Sequence, residues 1–216
     1  KTQARMVYLS NPDNPTGSWL PAEAQLAIIA KLAPGAVLVL DEAYSDFAPP
    51  ESMPALDPED ERVIRVRTFS KAHGMAGARV GYAIASKAII ASFDKIRHHF
   101  GVTRLSQEAA LASLGDQAFI ADVARQVSEG RRDYAALAES LGLRALPSAT
   151  NFVAIDMGEG DRARATLAKL LEGEGVFLRM PGIAPLDRLI RVTVGTPPER
   201  QGFAAALKRV VAAEHR

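Results

Sequence analysis

One segment of the sequence, Thr68–Gly81, concentrates side chains that are able to do chemistry: hydroxyls, a lysine, glycines and an arginine. Glycine lets the backbone approach a ligand closely, and hydroxyl and guanidinium groups bind phosphate. Burial beside another cation favours the neutral, nucleophilic form of a lysine. We therefore interpret Lys71 as a candidate for a Schiff base with a carbonyl cofactor, and Arg79 as a candidate phosphate ligand. The alternative is a mobile glycine-rich loop with solvated charges.

A pair of acids directly follows the apolar run Ala36–Leu40. A charged Asp41 beside a low-dielectric sheet is costly unless it has a cationic partner. A protonated ring nitrogen of a ligand is one such partner. The other interpretation is that Asp41 caps a loop or pairs with Arg65 or Arg67, and the sequence leaves both open.

Two further segments have a functional and a purely structural interpretation. Asn11–Gly17 is either a plain turn or a ligand-binding turn at the carboxyl edge of a parallel strand. Arg191 lies inside the short apolar run Leu189–Val194, where it either faces water at a sheet edge or binds the anionic group of a substrate. Arg179 carries a similar, weaker argument.

The elements that must position these groups alternate between strands and helices. Met6–Leu9 is typical of a short buried strand, Pro21–Lys31 of a helix, and Ala36–Leu40 of a strand that is apolar on both faces. This order predicts a parallel crossover unit. Further strands are predicted at Val63–Val66, Val80–Ala85, Asn151–Ile155, Val176–Leu178 and Leu189–Val194, and helices within Ala88–Val127 (with breaks at Gly101 and Gly115) and at Arg131–Leu141, Arg162–Leu171 and Glu199–Val211.

Composition excludes several classes of function. The 216 residues have a net charge of +1 and contain no cysteine. Broad electrostatic attraction to nucleic acid, a disulfide framework, a thiolate nucleophile and cysteine-ligated zinc are therefore excluded. The sequence contains no Walker-type loop, no histidine spacing typical of a metal site and no G-x-S-x-G turn, so we expect no metal.

Four motifs, Asn11–Gly17, Leu40–Tyr44, Arg67–Tyr82 and Ile190–Thr196, occur in the order and approximate spacing of fold-type I pyridoxal-phosphate aminotransferases. The sequence resembles class I/II of that family, and most closely its histidinol-phosphate aminotransferase branch. The resemblance implies an α/β fold: part of a three-layer large domain with a mainly parallel sheet, followed by a smaller α+β domain. We expect residues 1–115 to belong to the large domain and residues 116–216 to the small one.

The resemblance also implies roles for individual residues. Lys71 would form the Schiff base with pyridoxal 5'-phosphate and then move the proton at the substrate Cα. Asp41 would pair with the ring nitrogen of the cofactor, and Tyr44 and Asn14 would hydrogen-bond its phenolic oxygen. The remaining predicted site residues are Thr68, Ser70 and Arg79 for the phosphate, and Arg191 and Arg179 for the substrate.

The implied reaction is amino transfer between 2-oxoglutarate and an amino acid or amino alcohol phosphate, either histidinol-phosphate-like or aromatic. A decarboxylase of a phosphorylated amino acid and a non-catalytic sensor domain stay open as alternatives. We expect a cytoplasmic homodimer. The resemblance covers the C-terminal portion of the family only, so we expect this chain alone not to be catalytically competent.

Overall fold

The structure is a computed structural model that describes residues 4–215, and its first half forms one four-stranded sheet. Strands β1 (Met6–Ser10), β2 (Val37–Asp41) and β3 (Val63–Thr68) are parallel. Strand β4 (Gly81–Ile84) pairs with β3 in the antiparallel direction, and the strand order is β1-β2-β3-β4. The predicted mainly parallel sheet is confirmed.

Helix α1 (Ala22–Ala30) connects β1 to β2. Its Ile29 is buried in a cluster with Leu38 and Leu40 of β2, and both leucines are fully buried. Each buried leucine contributes about 2 kcal/mol by removal of apolar surface from water. The carboxyl end of β2 is thereby fixed at the edge where the candidate acid Asp41 lies.

Strand β1 is less buried than the sequence predicts. Met6 and Tyr8, which alternate onto one face of the strand, are 64% and 62% exposed. The prediction of a buried strand is therefore wrong for this face. The local run of apolar residues shows that a strand forms, but burial of a face depends on what packs against it.

Three helices follow β4: α2 (Lys87–Phe93), α3 (Arg104–Gly115) and α4 (Gln117–Ser140). The predicted breaks near Gly101 and Gly115 are confirmed. The helical structure predicted at residues 131–141 is confirmed as far as Ser140, but it is not a separate helix, because α4 runs through this region without interruption.

A second sheet lies in the last third of the chain. Strands β5 (Arg144–Ala145), β6 (Phe152–Asp156) and β7 (Leu189–Thr193) are antiparallel in that order. Helices α5 (Gly160–Glu174) and α6 (Pro197–Ala212) contribute apolar side chains to the same core, and every residue of β6 is buried. This is the α+β arrangement that the sequence predicts.

The strand predicted at Val176–Leu178 does not form. Val176 and Leu178 pack partly buried against the core, but only Arg179 makes a backbone bridge, to Arg191 of β7. The apolar run correctly indicates a segment that packs against the core, although Phe177, between Val176 and Leu178, is 68% exposed. Pairing with a neighbouring strand also needs backbone groups at the right distance, which an apolar run does not determine.

The described residues divide into two compact units. Residues 4–13 and 19–124 form the first, and residues 14–18 and 125–215 form the second. The chain passes to the second unit within α4, whereas the sequence places the domain boundary near residue 115. No helix within residues 4–215 is both long and apolar enough to span a membrane.

Candidate active site

Asp41 is the last residue of β2, at the carboxyl end of the parallel strands. Its Oδ1 accepts the backbone N–H of Ala43 at 2.9 Å, and its Oδ2 accepts the hydroxyl of Tyr8. Both donors are neutral, and within residues 4–215 Asp41 makes no ion pair. Because a carboxylate has about four lone-pair positions, Asp41 keeps the capacity to accept a hydrogen bond from a cationic N–H.

The neighbouring acid, Glu42, forms ion pairs with Arg65 and Arg67 of β3. Glu42 is 2% exposed, and its Oε1 accepts Arg65 Nε at 3.0 Å while its Oε2 accepts Arg67 Nε at 2.7 Å. Burial lowers the pKa of Arg67, but the hydrogen bond and charge of Glu42, with a smaller contribution from Tyr82, outweigh this and raise it above its ordinary value. The interpretation in which Asp41 pairs with Arg65 or Arg67 is therefore wrong.

Lys71 lies next to Tyr44 in the first unit. Its Nζ is 5.2 Å from the centroid of the Tyr44 ring, a distance at which a cation is attracted by an aromatic face. Tyr44 is buried, and Lys71 is half-buried. The loop after β2 and the loop after β3 therefore bring together an amine and a phenol.

The predicted phosphate ligands lie in the segment that follows β3. Thr68 ends that strand, and its Oγ1 accepts the backbone N–H of Ser70 at 3.0 Å. Arg79 is exposed, has a left-handed backbone (φ +52°) and donates from Nη1 to the carbonyl of Ala76 at 3.0 Å. Thr68 and Ser70 lie at the start of the loop and Arg79 lies near its end. The two ends are paired, because the backbone N–H of Phe69 donates to the carbonyl of Val80 at 3.2 Å and Thr68 is opposite Gly81.

Helix α3 holds this loop at two points. Ser106 Oγ donates to the carbonyl of Ala78 at 2.7 Å, and Ser113 Oγ lies 2.7 Å from His73 Nδ1. The His73 ring also contacts the ring of Phe69, with centroids 4.6 Å apart. These contacts fix both sides of the loop that carries Lys71.

Asn11 is a buried residue whose role the motif alone does not reveal. Its Oδ1 accepts the N–H of Leu20 at 2.7 Å, and its Nδ2 donates to the carbonyl of Leu20 at 3.3 Å. Leu20 lies two residues before the start of α1. Asn11 therefore closes the loop between β1 and α1, so its amide is used for structure.

Asn14 and Arg191 come together in the second unit. Arg191 Nη1 donates to Asn14 Oδ1, and the Arg191 guanidinium lies 4.8 Å from the Phe152 ring centroid. Arg179 is the backbone partner of Arg191, and both arginines line a small cavity of about 190 Å³ together with Pro15. Two cations that share a cavity are suited to an anionic group.

The structure thus places the predicted residues in two groups. The first unit holds the predicted ring, amine and phosphate ligands: Asp41, Tyr44, Thr68, Ser70, Lys71 and Arg79. The second unit holds Asn14, Arg179 and Arg191.

Sequence reasoning did not identify Tyr8. Its hydrogen bond to Asp41, with smaller contributions from burial and from the Asp41 charge, raises the pKa of Tyr8 to about 12. No signal in the sequence could have identified this contact, because it depends on the register in which Ser10, two residues after Tyr8, pairs with Asp41.

Comparison with known proteins decides the family. The family model described as "Aminotransferase class I and II" matches residues 1–207. The chain belongs to this family. The resemblance carried by the four motifs is therefore confirmed.

Curated relatives in this aminotransferase family support the predicted branch. Histidinol-phosphate aminotransferase 2 of Ralstonia nicotianae is 39% identical over 211 residues, which are 96% of this chain and 56% of that protein. The Bacillus subtilis histidinol-phosphate aminotransferase is 35% identical over 213 residues, 97% of this chain and 58% of that protein. The chain spans little more than half the length of these relatives.

Solved structures of aminotransferases share the fold. Histidinol-phosphate aminotransferase from Sinorhizobium meliloti in complex with pyridoxal-5'-phosphate is 45% identical, with a TM-score of 0.94 over 98% of this chain and 58% of that one. L-threonine-O-3-phosphate decarboxylase from Porphyromonas gingivalis is 26% identical, with a TM-score of 0.83 over 96% of this chain and 64% of that one. The predicted fold class is confirmed.

Proposed function

We propose that this chain supplies cofactor-binding and substrate-binding residues of a pyridoxal-phosphate-dependent aminotransferase. The amino donor in this proposal is histidinol phosphate, a similar amino alcohol phosphate or an aromatic amino acid, and the acceptor is 2-oxoglutarate. The observation that carries it is the placement of three groups at the carboxyl edge of the first sheet. Asp41 ends β2 and makes no ion pair within residues 4–215, and Tyr44 and Lys71 lie in the loops that follow β2 and β3. The 45% identity to a structure that binds this cofactor supports it.

The donor set of the first unit fits the cofactor. An aldehyde needs an amine, a pyridinium N–H needs a carboxylate, a ring hydroxyl needs a hydrogen-bonding partner, and a phosphate needs hydroxyls and cations. The chain offers Lys71 for the first, Asp41 for the second and Tyr44 for the third. The strand-end hydroxyls of Thr68 and Ser70, with Arg79, are suited to the fourth.

Each of these residues would have a separate task. When bound, pyridoxal phosphate supplies an electron sink that weakens the bonds to the substrate Cα. The Lys71 amine would attach the cofactor and then carry a proton to and from the substrate Cα. Asp41 would keep the ring nitrogen protonated. Tyr44 would orient the phenolic oxygen.

Arg191 and Arg179 would bind the acidic group of the substrate. The contact of Arg191 with Asn14 and with the Phe152 ring holds its guanidinium in one orientation. A planar guanidinium that is already oriented binds a carboxylate or a phosphate in a bidentate manner. This is why an amino acid or an amino alcohol phosphate is the substrate class that we propose.

The predicted homodimer and the predicted cytoplasmic location are part of the same proposal. The proposal also includes a role in histidine biosynthesis, which is supported by the names of the relatives and not by a contact within residues 4–215.

The test begins with capture of the cofactor. The chain is incubated with pyridoxal phosphate, reduced with borohydride and digested, and the modified peptide is identified by mass spectrometry. We expect modification at Lys71 and none at this position in Lys71→Arg, with Lys87 as an internal control because it is an exposed lysine of the same unit. Equal labelling of Lys71 and Lys87 would contradict the proposal.

Decarboxylation is the second candidate, and the likeness to the threonine-phosphate decarboxylase favours it. The two reactions differ in the form of the cofactor that remains after the cofactor-bound protein has reacted with an amino acid. Glutamate converts the cofactor of a transaminase to pyridoxamine phosphate, whereas a decarboxylase releases carbon dioxide from O-phosphothreonine and leaves the cofactor as the aldehyde. Chromatography of the released cofactor distinguishes them, and a sensor domain would capture the cofactor and give neither product.

A further inference from the structure

Tyr8 and Asp41 form a cross-strand pair at the carboxyl edge of the first sheet. The Tyr8 hydroxyl donates to Asp41 Oδ2, and the backbone N–H of Ala43 donates to Oδ1 at 2.9 Å. Each oxygen of the carboxylate therefore has one fixed neutral donor. Two donors on different oxygens determine the plane of a carboxylate, which a single donor does not.

The parallel register explains why Tyr8 reaches this acid. Ser10 is the partner of Asp41, and Tyr8 is the partner of Val39. Residues two apart on a strand point to the same face, and a diagonal neighbour lies within reach of a long aromatic side chain. The contact therefore follows from pairing of β1 with β2.

The arginines of β3 do not compete for Asp41. Arg65 and Arg67 both bind Glu42, with shortest nitrogen–oxygen distances of 2.9 and 2.7 Å. Asp41 is thus left with neutral donors from within the described chain and retains lone pairs for one cationic donor.

We propose that Tyr8 is a positioning residue for Asp41, and that its hydroxyl fixes the carboxylate plane in which Asp41 receives the ring N–H of pyridoxal phosphate. This rests on the proposed function above. Tyr8 acts through Asp41 and has no direct role in the chemistry. The pKa of Tyr8, raised to about 12 mainly by its hydrogen bond to Asp41, agrees with a persistent contact.

The first experiment needs no cofactor. Tyrosines labelled at the ring carbon that bears the hydroxyl are titrated by NMR in the wild-type chain, and Tyr8 is assigned from the signal lost in Tyr8→Phe. We expect the Tyr8 signal to titrate near 12, as the contact requires, and to move toward the ordinary value of about 10 in Asp41→Asn. A Tyr8 signal that titrates at the same pH in both chains would overturn the proposal.

The second experiment compares two ligands. Binding constants are measured for pyridoxal phosphate and for its analogue with C–H in place of the ring nitrogen, in the wild-type chain, Tyr8→Phe and Tyr134→Phe. Tyr134 is the matched control because its hydroxyl donates to the carbonyl of Thr193 in the other unit. Tyr8→Phe should weaken pyridoxal phosphate about tenfold, the worth of one hydrogen bond to a charged group, and leave the analogue unchanged.

The outcomes separate the two proposals. If the wild-type chain binds pyridoxal phosphate and Tyr8→Phe weakens both ligands equally or neither, the positioning role is overturned and the proposed function stands. If the wild-type chain binds neither ligand, the proposed function fails and the positioning role fails with it. Thermal unfolding of Tyr8→Phe by circular dichroism shows whether a loss of binding is a loss of fold.

Discussion

At the residue scale, Asp41 and Glu42 are adjacent acids with different surroundings. Asp41 accepts two neutral donors, whereas Glu42 is 2% exposed and binds two guanidinium groups. A buried carboxylate is stable only when its charge is compensated, and Glu42 receives that compensation from β3. Glu42 thus joins the end of β2 to its neighbouring strand, whereas Asp41 makes no ion pair within residues 4–215.

Replacement of Glu42 by glutamine should destabilise the first unit. Glutamine has nearly the same shape as glutamate but lacks the negative charge. The partly buried guanidinium groups of Arg65 and Arg67 therefore lose the charge that compensates them. We expect a loss of about 3 kcal/mol in the free energy of unfolding, as for other broken buried pairs. Urea denaturation followed by the fluorescence of Trp19, which lies in the first unit, measures it.

The matched control for Glu42→Gln is Asp60→Asn. Asp60 pairs with Arg62 at 2.8 Å, but the Arg62 side chain is 55% exposed, so water replaces the lost interaction. We expect no measurable change in the denaturation midpoint. Equal midpoints for the two variants would show that Glu42 is not a structural anchor.

At the element scale, loops at strand ends do most of the positioning. The loop that carries Lys71 is held by Ser106 and Ser113 of α3, and Asn11 closes the loop between β1 and α1. In the second unit, Gly17 has φ +79°, and its carbonyl accepts the N–H of Ala149 at 2.8 Å. The segment that presents Asn14 is therefore anchored beside Ser148.

Substitution of Gly17 by alanine tests this anchor. A Cβ at this position would lie 2.5 Å from Ser148 Oγ, and the left-handed backbone adds strain of its own. We expect a loss of about 3 kcal/mol in stability, the sum of the two costs. Thermal unfolding by circular dichroism gives the change.

Gly142→Ala is the control for Gly17→Ala. Gly142 also has a positive φ, +66°, but its Cβ would meet nothing within 4 Å. We expect only the backbone cost of about 1 kcal/mol. If the two alanine variants unfold at the same temperature, the contact with Ser148 does not constrain the segment.

At the scale of the whole molecule, one region of the first unit carries unusually exposed apolar side chains. Phe100 is 97% exposed, Ile96 83% and Leu105 80%, all near the start of α3. Exposed apolar surface of this kind is typical of protein–protein contacts. This region is our candidate for a contact in the proposed homodimer.

The double variant Phe100→Ser with Leu105→Ser should weaken self-association. Both side chains are exposed, so the variant should keep the melting temperature of the wild-type chain while the dimer dissociation constant rises at least tenfold. Sedimentation velocity over a range of concentrations measures this constant. Ile183→Ser, which alters a 79% exposed residue of the second unit, is the control. An unchanged dimer in the double variant would exclude this face.

Sequence alone determined the fold class, the family and the order of the chemical groups along the chain. Apolar runs were sufficient to predict strands such as β2 and β6, and the four motifs were sufficient to indicate the family. The local pattern was insufficient for β1, because one face of that strand is exposed. It was also insufficient for Val176–Leu178, which does not form a strand and is followed by a single bridge from Arg179 to β7.

Tertiary structure decided which groups contact each other. In the folded chain, Arg65 and Arg67 donate to Glu42, and the Tyr8 hydroxyl donates to Asp41. The physical reason is register: which side chains meet across two strands depends on how the strands are aligned, and a shift of one residue turns every side chain to the other face. Residues far apart in the chain, such as Tyr8 and Asp41, become partners only when that alignment is fixed.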